Sequence, residues 1–147
     1  MPGKREPSSP LLLIHLLSRQ ADKLFALHAA DGGPSAREYA VLEAVANADG
    51  LNQTAIMAAT GLDRSSTADV VRRMVAKRLL RRRRTRRDVR QYAVRMTMEG
   101  LKRLEEARAA ANAAEGELLA KLTRSQRETF VATLKTLAEP AVAGVRA

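Results

Sequence analysis

The chain has 147 residues, a net charge of +10 and no cysteine, and 46% of its residues are hydrophobic. That length and apolar share suit one folded domain rather than a disordered chain, and the missing cysteines exclude disulfides, thiolate metal sites and cysteine nucleophiles. With aromatics at 3% and no Trp, stacking on single-stranded bases has little to work with.

Residues 1–8 are polar, with two prolines and a glycine, and read as a flexible tail. Ser9-Pro10 reads as a helix start, Ser as N-cap and Pro at the first helical position. This helix is expected to run to about residue 30, with Leu13, Leu16, Leu17, Ala21, Leu24, Phe25 and Leu27 forming a wide apolar stripe. Such a stripe fits either a central core helix or one that also packs against a second subunit. Its apolar runs, residues 11–14 and 16–17, are too short to span a bilayer. Arg19, Asp22 and Lys23 follow where a signal peptide would need small residues, so export is not expected.

Asp31-Gly32-Gly33-Pro34 breaks the chain, and Ser35-Ala36-Arg37-Glu38 forms a capping box for a second helix carrying Tyr39, Leu42, Val45 and Ala46 inward. A short helix is expected from Asn52 to Thr60, closed by Gly61 in a left-handed conformation. Asp63 then caps a fourth helix to about Arg78. Val70, Val71, Met74 and Val75 are its expected buried side, and Arg64, Ser65, Ser66, Thr67, Asp69, Arg72 and Arg73 its polar face. A short helix, a three-residue turn and a polar-faced helix make the helix-turn-helix pattern. Residues 79–84 and 91–96 suit two short strands, joined through residues 85–90 into a wing.

Thr97 caps a long helix expected from Met98 to Leu122, its stripe being Leu101, Leu104, Ala107, Ala111, Ala114, Leu118 and Leu122. Thr123 and Gln126 form a second capping box. The last helix carries Phe130, Val131, Leu134 and Leu137 and is bent or stopped near Pro140.

Residues 64–95 hold thirteen of the 26 Lys and Arg residues but only two acids, Asp69 and Asp88, so this stretch accounts for the whole net charge. Seven of the ten residues from 81 to 90 are Arg, well beyond what solubility requires. Charge concentrated on one folded segment is the footprint of a nucleic-acid binder. Asp69 is placed either to pair with Arg72 or Arg73 across a helical turn, which needs no special docking, or to accept from a cytosine amino group. An enzyme is not expected. The two histidines, His15 and His28, stand thirteen residues apart, and no Gly-rich phosphate loop, zinc-binding helix motif or nucleophile elbow occurs. No catalytic residue, metal or cofactor is therefore assigned.

The order helix, helix, helix-turn-helix, wing, long helix, terminal helix resembles the MarR family of bacterial transcription regulators. The resemblance is carried by Tyr39-Ala40-Val41-Leu42, by Thr60-Gly61-Leu62-Asp63-Arg64-Ser65-Ser66, by Asp88-Val89-Arg90, and by Met96-Thr97-Met98-Glu99-Gly100. It implies a mainly α fold with a small two-stranded β wing. Residues 35–97 would form a winged helix-turn-helix DNA-binding lobe, and residues 9–30 and 98–147 a helical dimerisation layer, within one domain spanning 9–147. It implies a cytoplasmic homodimer on double-stranded DNA, acting at an inverted-repeat operator as a ligand-responsive repressor. The alternative is a basic architectural or RNA-binding winged-helix protein without sequence preference.

By the same resemblance, Arg64, Ser65, Ser66 and Thr67 at the helix start contact bases or phosphates, with Arg72 and Arg73 further along. The resemblance also places Arg90 in the minor groove with Asp88 holding it in position, while the arginine concentration itself assigns Arg84, Arg86 and Arg87 to phosphate and groove contact from the wing. The family's small aromatic or anionic effectors would meet His15, Arg19, Phe25, His28, Arg37 and Tyr39, with Arg19 or Arg37 pairing a carboxylate. Where relatives often have a glycine or other small residue before the first wing strand, this chain has Arg78.

Overall fold

A computed structural model describes residues 9–48, 50–86 and 92–139. The elements are α1 (Pro10–His28), α2 (Ala36–Ala46), α3 (Gln53–Thr60), α4 (Arg64–Ala76), β1 (Leu80–Arg84), β2 (Tyr92–Met96), α5 (Met98–Leu118) and α6 (Arg124–Ala138). The fold is mainly α with one two-stranded antiparallel sheet, as the chain order predicts. The expected tail, residues 1–8, and the stop at Pro140 lie outside the described residues.

Local chemistry sets most boundaries. Ser35 Oγ accepts from the Glu38 N–H and the Glu38 carboxylate accepts from the Ser35 N–H, completing the capping box of α2. Asn52, Asp63 and Thr97 each accept from a backbone N–H three residues on, and Thr123 with Gln126 closes the box of α6. Each cap satisfies a donor the helix would otherwise leave open, an effect of about 1 kcal/mol. Gly61 ends α3 at φ 71°, where a side chain would be strained. Ser9 occupies the N-cap position of α1 without a side-chain capping bond, so Pro10, with its preset φ and no N–H, is what favours helix entry there.

Two ends differ from expectation. Helix α4 stops at Ala76, and Arg78 just beyond it adopts φ 61°, the left-handed conformation that favours glycine. Helix α5 stops at Leu118, four residues before Leu122. Residues 119–122 turn instead, bringing Thr123 into the extended conformation that caps α6.

One core joins α2, α3, α4, the sheet and the start of α5 through Val41, Leu42, Val45, Ile56, Val70, Val71, Met74, Leu79, Leu80, Val94 and Leu104. A second cluster packs Phe25 of α1 against Ala107, Ala110, Ala111 and Ala114 of α5, whose small side chains let the helices approach closely. The Phe25 and Tyr39 rings stack with centroids 5.5 Å apart, linking the two clusters. The expected stripe of α1 is not covered within one chain: Phe25 is its one buried residue, and Leu13, Leu16 and Leu27 are exposed. Helix α6 has no buried residue, and Leu137 is 70% exposed. The central-core reading of α1 therefore fails for its first half.

The hinge between wing and α5 is tight. Thr97 Oγ1 lies 2.7 Å from the Arg78 carbonyl and 3.0 Å from that of Leu79, and accepts from the Gly100 N–H at 2.9 Å. A Cβ at Gly100 would overlap the Leu79 carbonyl oxygen and lie 2.7 Å from the Met96 sulfur. Gly100→Ala is expected to lower stability by about 1–3 kcal/mol through this overpacking, despite the better helix propensity of Ala. Urea unfolding measures it; an unchanged or higher midpoint would show that the junction yields.

Candidate nucleic-acid interface

The turn between α3 and α4 is held by its own polar groups. Thr60 Oγ1 donates to the Ile56 carbonyl at 2.7 Å, and Gln53 Nε2 donates to the Arg64 carbonyl at 3.2 Å, tying the two helices. Asp63 gathers the start of α4. It accepts from the Ser66 N–H at 2.7 Å, from Ser65 Oγ at 3.0 Å and from Ser66 Oγ at 3.1 Å. The Ser66 backbone N–H first, then the two serine hydroxyls, hold the Asp63 carboxyl below its ordinary range. Both hydroxyl protons are thus engaged, and what the serines offer outward is mainly acceptor lone pairs.

Arg64, Ser65, Arg72 and Arg73 lie on the exposed side of α4, with Ser66 half-buried. Asp69 contacts Arg72 Nη2 at 2.6 Å and Arg73 Nε at 3.4 Å, the ion pair expected from their spacing. Pairs this exposed contribute little stability; their effect here is to orient the two guanidinium groups.

Thr67 departs from expectation. It is 0% exposed, and among the described residues its hydroxyl has no hydrogen-bond partner. It faces the core one turn ahead of Val70 and Val71, so it presents nothing at the surface of α4. Lys77, itself exposed, places its ammonium 3.1 Å from the buried Glu38 carboxylate and so ties the end of α4 to the capping box of α2.

The wing pairs Leu80 with Met96, Arg81 with Arg95, Arg82 with Val94, Arg83 with Ala93 and Arg84 with Tyr92. Leu51 adds a rung, exchanging backbone hydrogen bonds with Val94 at 3.1 and 2.7 Å. Opposed residues share a face, so the buried Leu80 and Val94 place Arg82 and Arg84 on the inner side. There Arg82 and Tyr92 meet Asn52, Gln53 and Thr54 of the α3 start and Ala68 of α4 around a concavity of about 380 Å³. These residues were not singled out from sequence, because four consecutive arginines show no alternation and only the strand register assigns their faces. Arg84 and Arg86 are exposed toward the end of β1. Arg87, Asp88 and Arg90 lie outside the described residues.

Of the six residues expected at an effector site, the structure brings two together. Phe25 and Tyr39 line a cavity of about 170 Å³ between α1, α2 and α5, with Asp22 and Glu115 also in its wall. His28 instead borders a neighbouring hollow, and its Nε2 lies 2.8 Å from Glu117. His15, Arg19 and Arg37 are exposed and line neither. Behind Tyr39, Arg108 grips Glu43 through Nε at 2.8 Å and Nη2 at 3.0 Å. That grip holds the Glu43 carboxyl low, while burial, then the Glu43 charge, pushes the Tyr39 phenol up. Among the described residues no His, Cys, Asp and Glu cluster could hold a metal, and no helix is long and apolar enough to cross a membrane.

A profile of the MarR family matches residues 32–91. The chain is 33% identical over 99 residues to a putative transcriptional regulatory protein for the hcr operon of Thauera aromatica, covering 67% of this chain and 60% of that protein. It is 30% identical over 100 residues to the transcriptional regulator HosA of Escherichia coli O157:H7, covering 68% of this chain and 74% of HosA. Among solved structures, the PcaV transcriptional regulator of Streptomyces coelicolor, in complex with its natural ligand, superposes with a TM-score of 0.81 at 28% identity, over 91% of this chain and 94% of that one.

The burial of Thr67 generates a direct check. Thr67→Val removes a buried hydroxyl at nearly constant shape, so stability is expected to hold or rise by up to about 1 kcal/mol, with unchanged duplex binding. Denaturant unfolding and a binding titration on one preparation test both; a loss of either would return the hydroxyl to a working role.

Proposed function

The chain belongs to the MarR family of DNA-binding transcriptional regulators, and on that premise we propose that it acts as a homodimeric, ligand-responsive repressor at an inverted-repeat operator. The observation that carries this reading is the junction of α4 with the wing. There Arg82 of β1 borders a concavity with Ala68 and Val71 of α4, the helix whose exposed side carries Arg64, Arg72 and Arg73, and Arg84 and Arg86 are exposed further along the wing.

In this reading α4 enters the major groove. Ser65 and Ser66 meet base edges or phosphates at its start, and Arg72 and Arg73 meet phosphates or a guanine edge further along. Arg84 and Arg86 take backbone phosphates from the wing. By the family resemblance, Arg87 and Arg90 continue that role at the minor groove, with Asp88 positioning Arg90. Arginine suits these contacts because its planar fork binds two phosphate oxygens at once and stays charged. Thr67 is left out, since it lies in the core.

The dimer reading is supported by what the end helices leave uncovered. Leu11, Leu12, Leu13, Ile14 and Leu16 of α1 and Val131, Leu134 and Leu137 of α6 are all exposed in the single chain. Apolar residues concentrated this way mark an interaction surface, and a second copy supplies a matching one by symmetry. Residues 9–30 and 98–147 then form the dimerisation layer, and residues 35–97 the DNA lobe.

The effector reading rests on the Phe25–Tyr39 cavity, which lies where α1 and α5 meet α2. A ligand there would bias the placement of the lobes, and so the affinity for DNA, if it binds one arrangement better than the other. The cavity volume suits a single ring. Its walls carry Asp22 and Glu115 and no cation, so ring stacking is the recognition on offer, and the expected carboxylate pairing by Arg19 or Arg37 is not supported by their positions.

Selection of duplexes from a random-sequence pool tests the function. The expected outcome is one enriched inverted repeat with half-site centres about 10–10.5 bp apart, held in preference to bulk DNA and RNA. Equal retention of every duplex, or preference for RNA, would favour the architectural reading instead.

A further inference from the structure

We infer that the Phe25–Tyr39 cavity selects an organic cation, a single aromatic ring carrying an ammonium on a short arm, rather than an aromatic acid. The inference rests on the effector reading above and adds to it the charge of the guest.

Three helices build the cavity, and residue spacing decides what each contributes. Asp22 and Phe25 stand three residues apart, so they share one face of α1. Ala111, Ala114 and Glu115 share a face of α5 in the same way, and Tyr39 enters from α2. The alanines leave the space open, and the stacked rings of Phe25 and Tyr39 form its aromatic wall. Its volume of about 170 Å³ is close to the roughly 150 Å³ of a protein cavity that holds benzene, so one ring is the size of guest that it takes. Phe25 is buried and Tyr39 half-buried, whereas Asp22 and Glu115 are exposed as well as lining the cavity. A guest therefore sets its ring inward and its polar arm outward, between the two carboxylates.

Charge decides which arm is accepted. An ammonium placed there gains charge-assisted hydrogen bonds to Asp22 and Glu115 and attraction to the ring faces. A carboxylate in the same place meets two like charges. Tyr39 carries an independent sign of the local field. Burial first, then the charge and hydrogen bond of Glu43, then the charge of Glu115 push its phenol up, against a smaller opposing pull from Arg108. Arg108 is itself held by Glu43 and Glu105. A guest beside Tyr39 thus sits in negative potential, and the cavity combines attraction for a cation with repulsion of an acid, the two halves of a specific site.

The test uses the full chain and three probes that share one ring and differ in the charge of the group beside it: benzylammonium, benzyl alcohol and benzoate. Calorimetry at constant ionic strength is expected to rank them in that order, with the ammonium at least about threefold tighter than the alcohol and benzoate weakest. The double variant Asp22→Asn, Glu115→Gln should bind the ammonium and the alcohol alike, and hold the alcohol within about twofold of wild type. Because both acids are exposed, this variant should melt with wild type, which separates lost contact from misfolding. Ala21→Phe, which fills the cavity from α1, should remove binding of both probes and so locate them there. Benzoate bound more tightly than benzylammonium would overturn the inference, as would an ammonium preference that survives the double variant, ammonium binding that survives Ala21→Phe, or no binding by any of the three. Release of the enriched duplex is read separately at the same ionic strength. Benzylammonium that occupies the cavity and leaves duplex affinity unchanged would uphold the cation site and defeat the effector reading, which is a different result.

Discussion

Four consecutive arginines do not by themselves hold a β-strand. What holds this hairpin is its root. Leu79 and Leu80 are buried, Val94 is buried and bonded through its backbone to Leu51, and the Leu79 N–H reaches back to the Met74 carbonyl at 2.9 Å. Thr97 ties the carbonyls of Arg78 and Leu79 to the first turn of α5, and Gly100 lets that turn close. Apolar burial at the base, at about 25 cal/mol per Å², outweighs modest repulsion between solvated guanidinium groups further out. The position of the charged strand relative to α4 follows from that root, and the proposed interface depends on it.

A single chain leaves two surfaces unsatisfied. One is electropositive and gains from an anion. The other, along the first half of α1 and at Val131, Leu134 and Leu137 in the second half of α6, is apolar and gains from removal from water. A folded monomer could lower its energy by losing either feature: Gln for Arg on the wing, or Ser for Leu on the end helices. Their retention in one chain, at opposite ends of the fold, is what the proposed DNA-bound dimer accounts for. The Phe25–Tyr39 stack and the Arg108 grip on Glu43 lie between them, where α1 and α5 meet α2, so any ligand acting there would act on the connection.

Features set by neighbours in sequence were legible before the structure. The capping boxes at Ser35 and Thr123, the caps at Asn52, Asp63 and Thr97, and the glycine closing α3 each depend on three or four adjacent residues. Features set by contact across the fold were not. Helix α5 ends four residues early, two residues past Gly116, although the apolar spacing runs on to Leu122. The acids Asp22 and Glu115 share one cavity wall only because α1 packs on α5. Thr67 is the instructive error: positions 67, 70, 71 and 74 carry the helical spacing of a buried face, but the run Ser65-Ser66-Thr67 reads as polar by residue type. Spacing was the better guide, since Thr is nearly the shape of Val. Arg78 is the converse case, a residue type that conceals a left-handed turn normally assigned to glycine.

The central claim is that the concentrated charge of α4 and the wing is matched to DNA phosphates. The salt dependence of duplex affinity tests it most directly. Neutralisation of six to ten phosphates per dimer predicts that affinity falls by about 10³–10⁵ between 50 and 200 mM salt, linearly on logarithmic axes. An affinity that stays flat across that range would contradict the account.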